Sequence, residues 1–96
     1  MQASRLSDED VRARLSDVVG WEVADGILKK SFEFADFVQS MQFVNRLAEA
    51  AEAAHHHPDI DIRYDKVHIA LVTHDSGGIT EKDFALAQEA DAVAER

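Results

Sequence analysis

The apolar residues of this chain change their spacing along its length, and that change constrains the fold more than any single motif. Val11, Leu15 and Val18 recur at helical spacing. Leu28, Lys30, Phe32 and Phe34 then alternate with Ile27, Lys29, Ser31 and Glu33, which predicts a strand with one largely apolar face. Phe37, Met41, Val44, Ala48 and Ala51 return to steps of three and four and mark the stripe of a second helix. The Ala-rich stretch from Leu47 to Ala54 favours helix intrinsically. Ile60, Ile62 and Tyr64 alternate with Asp59, Asp61 and Arg63, and Val67, Ile69 and Leu71 with His68, Ala70 and Val72. Phe84, Leu86, Ala87, Ala90 and Val93 belong to a last helix.

Local punctuation divides these runs. Ser7 with Asp10 reads as a capping box, with Leu6 and Val11 as its staple, and places the first helix at about 8–18 before Gly20. Trp21-Glu22-Val23 is a short extended segment, and Asp25-Gly26 is a hairpin signal. Pro58 ends the second helix by pushing His57 towards extended geometry. A tight turn is expected at Asp65-Lys66 and a loop at Gly77-Gly78. Thr80 and Asp83 form a second capping box, stapled by Ile79 and Phe84. The order is therefore α-β-β-α-β-β-α. It predicts an α+β fold in which a four-stranded antiparallel sheet carries three helices packed on one face. The other face stays open or pairs with a second copy.

Composition excludes several classes. With 96 residues the chain is expected to be one domain, spanning 1–96. Acidic residues outnumber basic ones by 19 to 10, a net of −9, and a field of that sign repels phosphate backbones, so no nucleic-acid partner is expected. No apolar run exceeds four residues, so no membrane partner is expected. The opening Met1-Gln2-Ala3-Ser4-Arg5 has no apolar stretch, and a cytoplasmic location is the expectation. The absence of cysteine removes thiolate nucleophiles, disulfides and cysteine-ligated metals.

Chemistry concentrates in the histidines. His55-His56-His57 precede Pro58, and His74 stands where the last strand ends. Both places are element ends, where a rigid scaffold presents functional groups. Facing imidazoles can supply an acid and a base near neutrality. Glu52, one helical turn before His56, is placed to orient it. Three readings stay open on the residues alone: a solvated helix end favoured by the dipole, a metal site built from one or two of these histidines with His74 and a carboxylate, or acid–base chemistry without metal.

The wider spacing bears on that choice. Glu52, His56-His57-Pro58, Tyr64, His74 and Asp83, with Lys66-Val67, Thr73-His74 and Gly77-Gly78-Ile79-Thr80 beside them, resemble the signature of the pterin-4a-carbinolamine dehydratases. Those proteins are also described as dimerization cofactors of a homeodomain transcription factor. The likeness covers most of the chain. It implies a hydro-lyase that converts 4a-hydroxytetrahydropterins, formed by aromatic amino acid hydroxylases, to quinonoid dihydropterin and water in tetrahydropterin recycling. It implies that the pterin is the substrate, that no cofactor or metal takes part, and that the protein is a homodimer or homotetramer with a functional link to such a hydroxylase.

By motif position the resemblance makes His56, His57 and His74 the catalytic residues, with His56 and His74 as the main proton-transfer pair. Glu52 then orients His56, and Asp83 supports the site or only completes the cap with Thr80. His55, Val72, Thr73 and Asp75 are expected to line the pterin pocket with the three histidines. Tyr64 is read as packing and His68 as a surface or interface residue. The chain departs from many relatives at Ile60, where an aromatic residue is common, and at His55. Two rival functions remain: a non-catalytic dehydratase-like binding module, acting as transcriptional coactivator or assembly factor, and a small metal-binding protein.

Overall fold

Each helix starts where a short polar side chain satisfies a free amide of its first turn. Ser7 Oγ accepts from Asp10 N at 3.1 Å and opens α1, Asp8–Arg14. Asp36 Oδ1 accepts from Gln39 N at 2.9 Å and opens α2, Phe37–Ala54. Thr80 and Asp83 cap α3, Glu81–Ala94, reciprocally. The strands are β1, Glu22–Ala24; β2, Ile27–Glu33; β3, Asp59–Arg63; and β4, Lys66–Leu71. The computed structural model describes residues 3–95, so Met1 and Gln2 of the opening stretch lie outside it.

The four strands form one antiparallel sheet in the order β1-β2-β4-β3. Its register aligns the apolar sides of the strands. Leu28 faces Leu71, Phe32 faces Val67, and Ile60 and Ile62 face Ile69 and Val67. Leu28, Phe32, Val67, Ile69 and Leu71 join Phe43, Leu47 and Ala51 of α2 and Phe84, Leu86, Ala87, Ala90 and Val93 of α3 in one buried core. The three helices therefore cover one face, and each large core side chain contributes about 1.5–3 kcal/mol of burial. The opposite face carries Lys29, Ser31, Glu33, His68, Asp59 and Asp61 and holds an open concavity of about 630 Å³. Among the described residues, no helix is long and apolar enough to cross a membrane.

Five local expectations are corrected. The first helix is shorter than 8–18, because Leu15–Asp17 tighten into a 3₁₀ turn. There Ser16 Oγ donates to Ala13 O at 3.2 Å, a side-chain bond that competes with helical continuation. The second hairpin turns at Tyr64-Asp65, one residue before the expected Asp65-Lys66, with Tyr64 at φ 56°. Tyr64 accordingly projects outward and is 64% exposed, so it is no packing residue.

The inner face of α2 is Ser40, Phe43, Leu47 and Ala51; of the expected stripe, Ala51 is buried and Val44 packs against the core, while Phe37 and Ala48 stay outside. The helix carries two apolar stripes, and the one holding Phe43 wins because its ring meets Phe32 and Phe34 at 4.8 and 5.1 Å. Phe37 and Val38 are left 48% and 63% exposed. Finally, α2 ends before Pro58 can act. His55 adopts φ 52°, its N–H donates to Glu52 O at 3.2 Å, and His56 N–H donates to Ala51 O at 3.1 Å. That pair of bonds is a Schellman stop, with histidine in the left-handed position usually given to glycine.

Candidate active site

The left-handed residue at the end of α2 reverses the chain within one step, and the two histidines that follow part company. His56 turns inward and is 9% exposed, while His57 stays at the surface. Beyond β4, Thr73 and Gly78 pair across a small loop (Thr73 N to Gly78 O 3.0 Å) that holds the 3₁₀ turn His74–Ser76. Gly77, at φ 76°, allows that turn to close. The end of α2, this loop and the first turn of α3 thus meet at one edge of the core. His55, His56, His57, Val72, Thr73, His74, Asp75 and Lys82 line an open concavity there of about 300 Å³.

Every residue read from the sequence as catalytic or pocket-lining is in that group. Lys82 is the addition. It precedes Asp83 by one position, and the capping box that sets Asp83 inward turns the neighbouring residue towards the pocket; that was its only signal in the sequence. The larger concavity on the open sheet face contains none of His55, His56, His57 or His74.

The carboxylate partners differ from the sequence reading. Glu52 does not orient His56: its Oε2 pairs with His57 Nε2 at the surface. The early stop of α2 explains the exchange, because His56 has left the helix and no longer shares a face with Glu52. His56 Nε2 instead donates to Asp83 Oδ1 at 2.5 Å, and Asp83 is fully buried. Asp83 does not choose between cap and site. Its Oδ2 accepts from Thr80 N and from the Thr73 hydroxyl, both at 2.9 Å, while Oδ1 serves His56.

The direction of these bonds follows from what each atom can do. An ionised carboxylate only accepts, so the Thr73 hydroxyl proton points at Asp83. The Thr80 hydroxyl must then donate to Thr73 Oγ1, 2.8 Å away, and accept from Lys82 N at 3.2 Å. No buried side-chain nitrogen or oxygen among the described residues lacks a partner. His56 is therefore held by one ring nitrogen from a rigid buried network, and His57 by one ring nitrogen from an exposed carboxylate. The Nδ1 of each ring is free of those contacts.

A family model described as pterin 4 alpha carbinolamine dehydratase matches residues 4–93, which include every part of this arrangement. The chain belongs to the pterin-4-alpha-carbinolamine dehydratase family. Similar members of the dehydratase family are provisionally named pterin-4-alpha-carbinolamine dehydratases. One from a Picosynechococcus species is 48% identical over 91 residues, covering 95% of this chain and 99% of that protein. One from Mycolicibacterium vanbaalenii is 52% identical over 88 residues, covering 92% and 95%.

Among solved structures, a transcriptional coactivator/pterin dehydratase from Brucella melitensis superposes with a TM-score of 0.92 at 32% identity, covering 95% of this chain and 99% of that one. A pterin dehydratase-like protein described as a RuBisCO assembly factor in the alpha-carboxysome superposes at 0.64 with 29% identity, covering 77% and 86%. The dehydratase fold is thus shared by proteins described in catalytic and non-catalytic terms.

Proposed function

We propose that this protein is a 4a-hydroxytetrahydropterin dehydratase working by histidine acid–base chemistry. The observation that carries the reading is the convergence of His56, His57 and His74 on one open concavity, with His56 and His57 each tied to a carboxylate through one nitrogen. The reaction asks for little else. The N5 proton leaves to a base, a C4a–N5 double bond forms, the C4a–O bond breaks, and the hydroxyl departs as water after protonation. Electrons balance within the pterin, so no redox partner enters the step. Acid–base groups in position contribute about 10²–10⁴-fold to such a step.

His56 and His74 are the proton-transfer pair in this reading. The buried network holds His56 so that its Nδ1 is the nitrogen left for the substrate, and His74 joins it from the loop after β4. His57 binds the pterin or assists as an acid, steadied by Glu52. Val72, Thr73 and Asp75 contact the flat ring, with His55 at the rim. No resident cofactor is proposed, and the source of substrate is an aromatic amino acid hydroxylase. We also propose that two or more copies associate through the outer stripe of α2, with Phe37, Val38 and Ala48 exposed and Met41 half-buried. A cytoplasmic location belongs to the same proposal.

The coactivator from Brucella and the assembly factor of the carboxysome support a second reading, a binding module without catalysis. A dehydration assay separates the two. A 4a-hydroxytetrahydropterin is generated in the presence of chelator and its loss is followed by ultraviolet absorbance, with wild type and His74→Ala compared. Acceleration lost in the variant supports the enzyme. A folded wild type that gives no acceleration leaves the binding module.

A further inference from the structure

The loop that carries His74 is gripped from outside the pocket by the segment that precedes α1. Leu6 N–H donates to Ile79 O at 2.9 Å, just past the loop. The Ser76 hydroxyl donates to Ala3 O. The Arg5 side chain lies so close over Gly78 that a β-carbon there would sit 2.9 Å from its Nε and 3.0 Å from its Cδ. Then α1 fastens the same region again: Arg14 donates to Glu81 at 2.5 Å and lies 5.0 Å over the Phe84 ring.

We infer that Ala3–Leu6 is a strap that sets where His74 stands, which makes Ser76 and Gly78 positioning residues for a pocket neither of them lines. The inference rests on the dehydratase reading only for its effect on activity. The loop's internal bonds, Ser76 N to Thr73 O and Gly77 N to His74 O, both 3.0 Å, hold its own shape. They do not stop it swinging as a unit about the Thr73–Gly78 pair. His74 itself is exposed. The strap supplies the resistance. It also accounts for Gly78, which has no positive φ to require glycine but has Arg5 where a side chain would go.

The test uses the full chain with Gly78→Ala, Ser76→Ala, Ser76→Thr, and Gly78→Ala combined with Arg5→Ala. Amide exchange is read by NMR at Ser76 and Gly77, with Val67 and Ile69 of β4 as internal references. Gly78→Ala and Ser76→Ala should speed exchange at the loop amides by roughly tenfold while β4 holds steady, as for a local opening. Ser76→Thr, which keeps the hydroxyl, should restore slow exchange. The Gly78→Ala variant should recover when Arg5 is also cut back, because the clash is gone.

In the dehydration assay kcat should fall about tenfold with KM within about twofold, since displacing a proton-transfer group by a fraction of an ångström acts on the reacting step. Unchanged loop exchange in both alanine variants would overturn the strap, as would acceleration of β4 in parallel, which is general destabilisation. Faster loop exchange with unaltered kcat would overturn the positioning role. If wild type dehydrates nothing, the dehydratase reading falls by itself, and the exchange data alone decide the strap.

Discussion

Asp83→Asn is the most informative single change, because one buried carboxylate serves a helix cap, a hydroxyl and the inward histidine at once. The substituted amide keeps one oxygen, which can go on accepting from Thr80 N and Thr73. Its NH₂ then faces His56 Nε2, where a donor meets a donor. The ring must give its Nε2 proton up and carry it on Nδ1, or break the bond. A hydrogen bond to a charged group is worth about 1.5–3 kcal/mol, so the variant should lose about 2 kcal/mol. In a domain of this length that lowers Tm by roughly 8–16 °C.

Because the tautomer reverses, proton transfer should fall by about 10²-fold, the lower end of an acid–base contribution. The assay is urea denaturation of wild type, Asp83→Asn, His56→Gln and the double variant, with dehydration rates measured on the same samples. The two sites are in contact, so their effects should fail to add by about 1 kcal/mol or more. Additivity within about 0.5 kcal/mol would refute the reasoning, because it would mean that the 2.5 Å bond carries no energy of its own.

Other expectations follow from exposure and packing. Glu52→Gln should change stability by less than about 0.5 kcal/mol, since the Glu52 and His57 side chains are 75% and 68% exposed, yet it should alter the pH profile of kcat if His57 takes part in proton transfer. Phe43→Ala should cost about 3–5 kcal/mol in urea denaturation, because the ring is 1% exposed and meets two other aromatic rings. Val38→Glu, on the exposed stripe of α2, should leave the unfolding free energy of the monomer within about 0.5 kcal/mol and shift light scattering towards monomer. A wild type that is already monomeric at every concentration removes that proposal.

The legible parts of the fold were those governed by local physics. A short extended segment and a period-two run with Asp25-Gly26 between them read as a hairpin, and the Thr80–Asp83 box announced α3 in its own residues. What could not be read depended on competition between similar options. Two apolar stripes on α2 look alike in sequence, and only the presence of Phe32 and Phe34 across the gap selects the one with Phe43. The sequence points to Pro58 as the stop of α2 because proline is a known breaker, whereas His55 carries no local mark of a left-handed residue. That small difference moved Glu52 from His56 to His57. The pocket's membership was legible from the motif, but its internal pairing was not. Pairing depends on where a helix ends to within one residue.

The hydrogen-bond chain behind His56 has a further consequence. It runs from His56 to Asp83, to the hydroxyl of Thr73, to that of Thr80, and stops at the amide of Lys82. A peptide N–H does not release its proton, so the chain is a cul-de-sac rather than a wire to bulk water. Whatever proton His56 gains from a bound molecule must leave through the mouth by which that molecule entered. Substrate and proton would share one doorway at such a site.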